Sequence, residues 1–321
     1  MKLRSQSKRF KKGEIRIAVS GKPKRKWFLA ELPFHVMLLP AVILTLIFRY
    51  VPIAGLSIAF MDYQPVFGLS DQRWVGWDNF EYVFNLPGFF NVLWNTLFIA
   101  VMKIVGNLIV PVVFALLLNE VRNRWFKQSV QTMLYLPHFL SWVALAGVLI
   151  DILSPSSGII NNLLTGLGMK PIFFLGDPAT FPYTLVFTDV WKEFGWGTII
   201  YLASITTIDP TQYEAAIIDG AGRWKQTLHV TLPALAPVML LLMVLGIGNV
   251  LQAGFDQVYN LYSPQVYSTG DIIDTLVYRI GIVDVQFGPA TAVGFFKSVV
   301  SFVLIVIGYK LANKWAGYKV F

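Results

Sequence analysis

The sequence predicts an all-α membrane protein with six transmembrane helices, and three observations carry that prediction. Of 321 residues, 55% belong to the AVILMFWYC set and only 14% are charged, with a mean hydropathy of +0.60. A soluble globule of this length could not keep so much apolar surface from water. Six segments, near 34–60, 92–119, 128–152, 181–206, 234–256 and 288–312, each supply the ~20 apolar residues that a helix needs to cross a hydrocarbon core. Lys and Arg fall unevenly between alternate connections, as they do when loops sort to opposite sides of a membrane.

The basic tail comes first. Residues 1–30 hold eleven of the 26 Lys and Arg against one Glu, a local +10 that exceeds the +8 of the whole chain. A short basic arm on an apolar body suits anionic lipid head groups better than nucleic acid. The apolar run that follows is too long for a signal peptide and reads as a retained first span. The tail together with Arg122, Arg124, Lys127, Arg223, Lys225, Lys310, Lys314 and Lys319 puts 19 cations on one side, against Arg73, Lys170 and Arg279 on the other. Without the tail the bias is still eight to three. Both termini are therefore expected in the cytoplasm. The organisation predicted is a basic tail over 1–31, a six-span domain over 32–312 and a C-terminal tail over 313–321.

The external connection 61–91 carries Asp62, Asp71, Asp78 and Glu81 among Trp74, Trp77, Tyr82, Phe84, Phe89 and Phe90. These aromatics suit an interfacial belt, with room for some to pack on a docking partner.

The cytoplasmic connection 207–233 is the most informative stretch. Asp209, Pro210 and Gln212 form a helix start, with a side-chain cap, a first-turn proline and a third-position amide. A helix from Pro210 to about Asp219 should end at Gly220, and a second should run from Arg223 to Leu232, stopping before Pro233. Ala215 and Ala216 leave a surface that another backbone can approach closely, and Glu214 offers a carboxylate to a partner's Arg or Lys. These features alone fit an ordinary interfacial loop equally well.

Glu214-Ala215-Ala216, Asp219-Gly220-Ala221, and Leu232-Pro233 with Pro237 resemble the EAA loop of the membrane subunits of binding-protein-dependent ABC importers, E-A-A-x-x-D-G-A followed by L-P-x-x-x-P. V-G-W-D-N-F at 75–80, W-N-T-L at 94–97, A-L-L-L-N at 115–119 and F-D-Q-V-Y at 255–259 resemble the carbohydrate-uptake branch. Y-L-P-H-F-L-S-W-V at 135–143, G-F-F-K-S-V-V at 294–300 and the ending A-G-Y-K-V-F resemble its LplB-like oligosaccharide permease subgroup. The resemblance covers roughly 30–321 and implies a type I importer fold, MetI/MalG-like, in a bacterial plasma membrane.

It further implies a permease subunit forming half of a pathway for oligosaccharides, including acidic ones derived from polysaccharides. The implied partners are a second homologous permease subunit, two ABC ATPase subunits and an extracellular solute-binding protein. In that family the first EAA helix sits in a cleft of the ATPase. Carried over, Glu214 makes the charged contact, Ala215 and Ala216 the close approach, and Gly220 the bend, with Asp219 and Ala221 completing the motif; a local cap is the other role open to Asp219.

Charges inside a span cost about 2.5–3.5 kcal/mol each at its centre, so they face protein or water. Asp189, Lys192 and Glu193 in the fourth span have the spacing to share a face and neutralise one another. They serve either as an ion-pair network between helices or as a pathway wall, where Trp191, Trp196 and Tyr201 offer aromatic faces. Lys297 in the sixth span has the same two roles open, as a cation for an anionic sugar or as a partner for Asp189 or Glu193. Asn249, Gln252 and Asp256 fall on one helical face of the fifth span, a polar stripe suited to sugar hydroxyls or to interhelical bonds. Pro40, Pro52 and Pro111 are candidate kinks.

The chain has no cysteine, which excludes thiolate chemistry. It has no G-x-x-x-x-G-K-[ST] to hold ATP, and His35, His138 and His229 make no metal pattern. No catalytic residue, metal site or cofactor is assigned to this chain, and ATP with Mg is expected on the partner ATPase. The reading from a different class is a secondary transporter or membrane enzyme that uses the 189–193 cluster.

Overall fold

The computed structural model describes residues 24–68, 71–248 and 250–316, with side chains from 32 to 310. Most of the basic tail, Asn249 and the last five residues lie outside the described residues. The chain divides into two compact units, Met1–Gly55 and Leu56–Phe321.

In the first unit, α1 (Lys24–Thr45) contains Pro33 and Pro40. The helix continues through a π turn at Leu46–Tyr50 and a 3₁₀ stretch, Val51–Phe60, that carries the chain into the second unit.

The second unit is helical apart from one short hairpin. β1 (Met61–Asp62) pairs antiparallel with β2 (Arg73–Trp74), Met61 opposite Trp74. After α2 (Asp78–Phe84) comes α3 (Phe89–Glu120), 32 residues with Pro111 inside. Then follow α4 (Arg124–Tyr135), α5 (Trp142–Ile152), α6 (Ile159–Gly166) and α7 (Phe181–Thr206). The connection 207–233 holds α8 (Pro210–Ile218) and α9 (Arg223–Gln226), and α10 (Leu232–Gly248) leads to α11 (Phe255–Leu261). The chain ends with α12 (Tyr267–Gly270), α13 (Ile273–Tyr278) and the long α14 (Phe287–Ala316).

Among the described residues four helices are long and apolar enough to cross a membrane: Leu32–Phe60, Phe89–Glu120, Arg223–Gly248 and Phe287–Lys310. A bent pair from Arg124 to Ile152 would make a fifth. The 26-residue α7 coincides with the expected fourth segment and carries three charges in its middle.

Three expectations are corrected. The segment 128–152 is two helices whose axes differ by 106°. Pro137 removes a backbone donor in the 3₁₀ turn Leu136–Phe139, and Ser141 starts a new helix by accepting from the Ala144 amide at 3.2 Å. The second loop helix does not stop before Pro233: the helix runs from Arg223 to Gly248 through a π turn at Thr227–Thr231. That turn, in which the Leu232 amide bonds the Thr227 carbonyl, accommodates the donor that Pro233 lacks. The fifth helix ends at Gly248 rather than near 256, and the chain is non-helical from Val250 to Gly254. Gln252 and Asp256 therefore sit on different elements and share no helical face.

The core is organised around α7, whose buried residues include Leu185, Thr188, Lys192, Gly195, Thr198 and Tyr201. Small residues set its approach to neighbours, as expected where lipid removes the hydrophobic drive between helices. A Cβ on Gly106 of α3 would overlap Val190, and one on Gly197 would press on Pro111. On the other side, Gly195 lies against the backbone of α4 at Leu134.

On the opposite flank, Phe60 stacks on Trp74 at 5.6 Å and meets Trp77, Phe80 and Phe295. Asn79 pins this nest by donating to the carbonyls of Ala59 and Met61 at 3.0 and 2.9 Å. Of the aromatic set predicted as a belt, Phe89 is buried, whereas Trp74 and Trp77 remain 62% and 67% exposed.

Gly195→Ala is expected to destabilise the protein by about 1–3 kcal/mol, because the added methyl meets the Leu134 carbonyl rather than a movable side chain. Gly147→Ala in α5, where space is open, should be neutral. Thermal unfolding midpoints of the purified protein in detergent compare the two.

Candidate functional site

Two regions bring the sequence-predicted residues to notice. The first is a cavity of about 360 Å³ between α3, α7, α10 and the non-helical segment after it. Asp189, Glu193 and Gln252 line it, with Asn107, Trp196 and Lys103.

Lys103 organises this cavity and was not singled out from the sequence, although a lysine in the middle of an apolar helix is itself a signal. Its Nζ lies 3.1 Å from Asp189 Oδ1 and donates to the Ala253 carbonyl at 2.7 Å and to Gln257 Oε1. Gln257, fully buried, in turn donates to the Leu185 carbonyl and to Thr188 Oγ1, each at 2.8 Å. The break after α10 is stabilised by this set: Gly254 takes the left-handed φ of +95°, and a lysine from another helix satisfies the freed Ala253 carbonyl. Asn107 Nδ2 holds the other Asp189 oxygen at 3.0 Å. Asn107 Oδ1 is buried without a hydrogen-bond partner among the described residues.

Mutual neutralisation within 189–193 is corrected in the same way. Lys192 does pair with Glu193, at 2.8 Å, and also donates to the His138 carbonyl at 3.0 Å. Asp189 instead pairs with Lys103, because the cross-helix approach of α3 is not legible from spacing along α7. Glu193 Oε2 meets His138 Nδ1 at 2.7 Å, and the His138 ring stacks on Trp196 at 4.8 Å. The turn between α4 and α5 is thereby tied to α7.

The remaining candidates lie elsewhere. Trp191 lines an apolar pocket with Leu149, Tyr183 and Phe187. Tyr201 is fully buried. Lys297 pairs with Asp274 of α13, not with Asp189 or Glu193. Asp256 is exposed near the start of α11, and Asn249 lies outside the described residues. A second ion pair that the sequence reading missed, Asp271 with Arg279, anchors α13, and Arg279 also lies 4.9 Å over the Tyr267 ring. No metal-holding group of three acidic or histidine side chains occurs among the described residues.

The second region is the loop around α8. Asp209 caps it, accepting from the Thr211 amide at 2.9 Å, and that bond holds the Asp209 carboxyl below the usual range. Gly220 ends it at φ +75°, and the Ala221 amide returns to the Ala216 carbonyl at 2.8 Å. Glu214, Ala215, Asp219 and Gly220 are exposed, and Ala216 and Ala221 half-buried. Ile218 is 86% and Trp224 77% exposed beside them. The Tyr213 and Thr231 hydroxyls share a hydrogen bond at 2.9 Å, which fastens α8 to the π turn before α10, and Arg223 meets Glu120 at 3.1 Å, which fastens α9 to the end of α3.

Lys103→Ala is expected to cost about 3–5 kcal/mol by leaving the Asp189 carboxylate buried and uncompensated. Adding Asp189→Asn should recover part of that loss, as read by unfolding midpoints of the single and double variants.

Residues 108–316 match the family model described as binding-protein-dependent transport system inner membrane component. The polygalacturonan/rhamnogalacturonan transport system permease protein YteP of Bacillus subtilis (strain 168) is 43% identical over 298 residues, covering 92% of this chain and 93% of that protein. Protein LplB of the same organism is 42% identical over 281 residues, 88% of each. A crystal structure of a bacterial ABC transporter involved in the import of the acidic polysaccharide alginate superposes with a TM-score of 0.84 at 36% identity, covering 92% of this chain and 99% of that one. A permease draws its energy from a separate ATPase subunit, so the charges of α7 need not serve as a proton relay or as acid and base. The chain belongs to the binding-protein-dependent transport system inner membrane component family, and it is a transport subunit, the permease of an ABC importer.

Proposed function

We propose that this permease forms half of the transmembrane pathway for oligosaccharides released from acidic polysaccharides, in the plasma membrane of a bacterium. The observation that carries the proposal is the exposed α8 surface, linked through the turn at 219–222 to one continuous helix, Arg223–Gly248, that runs to the break lining the cavity. A displacement of α8 reaches the cavity wall through that turn and helix, with the Tyr213–Thr231 hydrogen bond tying α8 directly to the helix across the turn. Glu214 makes the charged contact with an ATPase subunit. Ala215 and Ala216 allow close approach, and the turn at Asp219, Gly220 and Ala221 sets the angle of α8.

The complete machine has a second, homologous permease subunit, two ATPases that bind ATP and Mg, and an extracellular solute-binding protein. Both termini are cytoplasmic, with the tail 1–31 on anionic lipid, the spans within 32–312 and a short tail over 313–321. Asp189, Glu193 and Gln252 belong to the pathway wall; Trp191, Lys192, Asp256 and Lys297 do not line the cavity. The lysines lend no support to an acidic substrate, since Lys192 and Lys297 are both paired with carboxylates. Support for it comes instead from relatives whose names specify polygalacturonan, a polyuronate, and the acidic polysaccharide alginate.

Glu214→Ala is expected to lower oligogalacturonate uptake and substrate-stimulated ATP hydrolysis at least tenfold, with the subunits still expressed. Substrate accumulation and phosphate release in membrane vesicles that carry the whole complex measure the two. Unchanged stimulation would refute the coupling role, and uptake of neutral but not acidic oligosaccharides would refute the substrate class.

A further inference from the structure

The cavity described above carries a charge pattern at odds with the simplest picture of an acidic-sugar site. Lys103 is the only cation lining it among the described residues, and it is 7% exposed. An ammonium has three donors, and Asp189, the Ala253 carbonyl and Gln257 take all three. Lys192, on the far side of Glu193, is likewise committed, to Glu193 and the His138 carbonyl, and its Nζ sits 5.5 Å over the Trp142 ring. What the cavity presents instead is acceptors and an aromatic face. Asp189 and Glu193 have side chains 15% and 32% exposed, Gln252 is exposed on the unwound segment, and Trp196 is 46% exposed with His138 stacked against it.

We infer that this cavity reads the hydroxyl groups and ring faces of a sugar and leaves its carboxylates unread. Hydroxyls donate to Glu193, Asp189 and the Gln252 amide oxygen, while an apolar ring face stacks on Trp196. A substrate carboxylate finds no free cation here, because capturing Lys103 would require displacing Asp189, with two like charges then sharing one ammonium in a low-dielectric site. Contacts to single hydroxyls and ring faces also suit passage, since a site that conducts must release what it takes in. The carboxylates of an acidic oligosaccharide must find their cations outside this cavity, on the other half of the pathway or on the solute-binding protein. The inference rests on the proposed sugar pathway.

The test uses the detergent-solubilised complex of both permease subunits and both ATPases, without binding protein, and labelled trigalacturonate as the probe. Unlabelled trigalacturonate and its methyl ester compete for the probe at low and high salt. The expected result is that acid and ester compete within about threefold of each other in the wild type, at either salt. Trp196→Ala and Gln252→Ala should each weaken both ligands by about tenfold, the scale of one lost stacking or hydrogen-bond contact, and Trp196→Phe should retain most of the affinity. An advantage of the acid over the ester above tenfold that disappears in high salt would show that carboxylates are read here and overturn the inference. No binding of either ligand, or binding insensitive to Trp196→Ala and Gln252→Ala, would overturn it as well. Uptake by the complete system with binding protein separates the two levels. Uptake of oligogalacturonate together with any overturning result sinks this inference alone, whereas absence of any oligosaccharide uptake sinks the proposed function.

Discussion

Burial of the Lys103 ammonium is the constraint from which the second unit's arrangement follows. A cation nearly sealed from solvent in an apolar helix must be supplied with acceptors, and here they come from three directions: Asp189 of α7, the carbonyl at the break after α10, and Gln257 of α11. Each acceptor is held in turn by a further bond, Asp189 by Asn107 and Gln257 by Leu185 and Thr188. A network in which members satisfy one another fixes one relative position for α3, α7 and α11, which generic packing of Leu and Val would not. It also makes the interruption of the fifth helix tolerable at membrane depth.

The same economy governs the other charges. Lys192 with Glu193 and Lys297 with Asp274 are neutral pairs, so α7 and α14 keep ionised groups without net buried charge. Around them glycine and threonine let backbones approach: Gly106 of α3 faces α7, Gly197 faces α3, Gly195 faces α4, and Thr198 bonds back to the Phe194 carbonyl at 2.7 Å. The α3 and α7 walls of the cavity are therefore held against each other by close backbone packing as well as by the Lys103 network. Another wall, the segment Gln252–Gly254, is tied to α3 through the Lys103 bond to the Ala253 carbonyl.

Much of the architecture was legible in the sequence. The ends of α7 coincide with the predicted segment, and those of α3 differ by a few residues, because long apolar runs bounded by polar residues leave little freedom. The α8 loop was legible almost residue by residue, from the Asp209 cap to the Gly220 turn, since capping is local chemistry. The EAA pattern further identified which face of that loop to regard as a docking surface. Less legible were the breaks. Pro137 with Ser141 could have marked the bend between α4 and α5, but both sit within an otherwise apolar run. The end of α10 at Gly248 has no local signal beyond glycines, and its stability comes from Lys103, about 150 residues away in the chain.

By itself the sequence determined that this protein is an apolar, helical membrane subunit with a basic end and a capped loop of family-specific pattern. Those properties are sums over composition or consequences of neighbours within one helical turn. Only the tertiary structure decided the partners of Asp189, Glu193 and Lys297, the interruption of the fifth helix, and which polar residues share a cavity. Ion pairing inside a membrane is chosen by distance and desolvation between helices, and neither quantity is written in the spacing along any one of them.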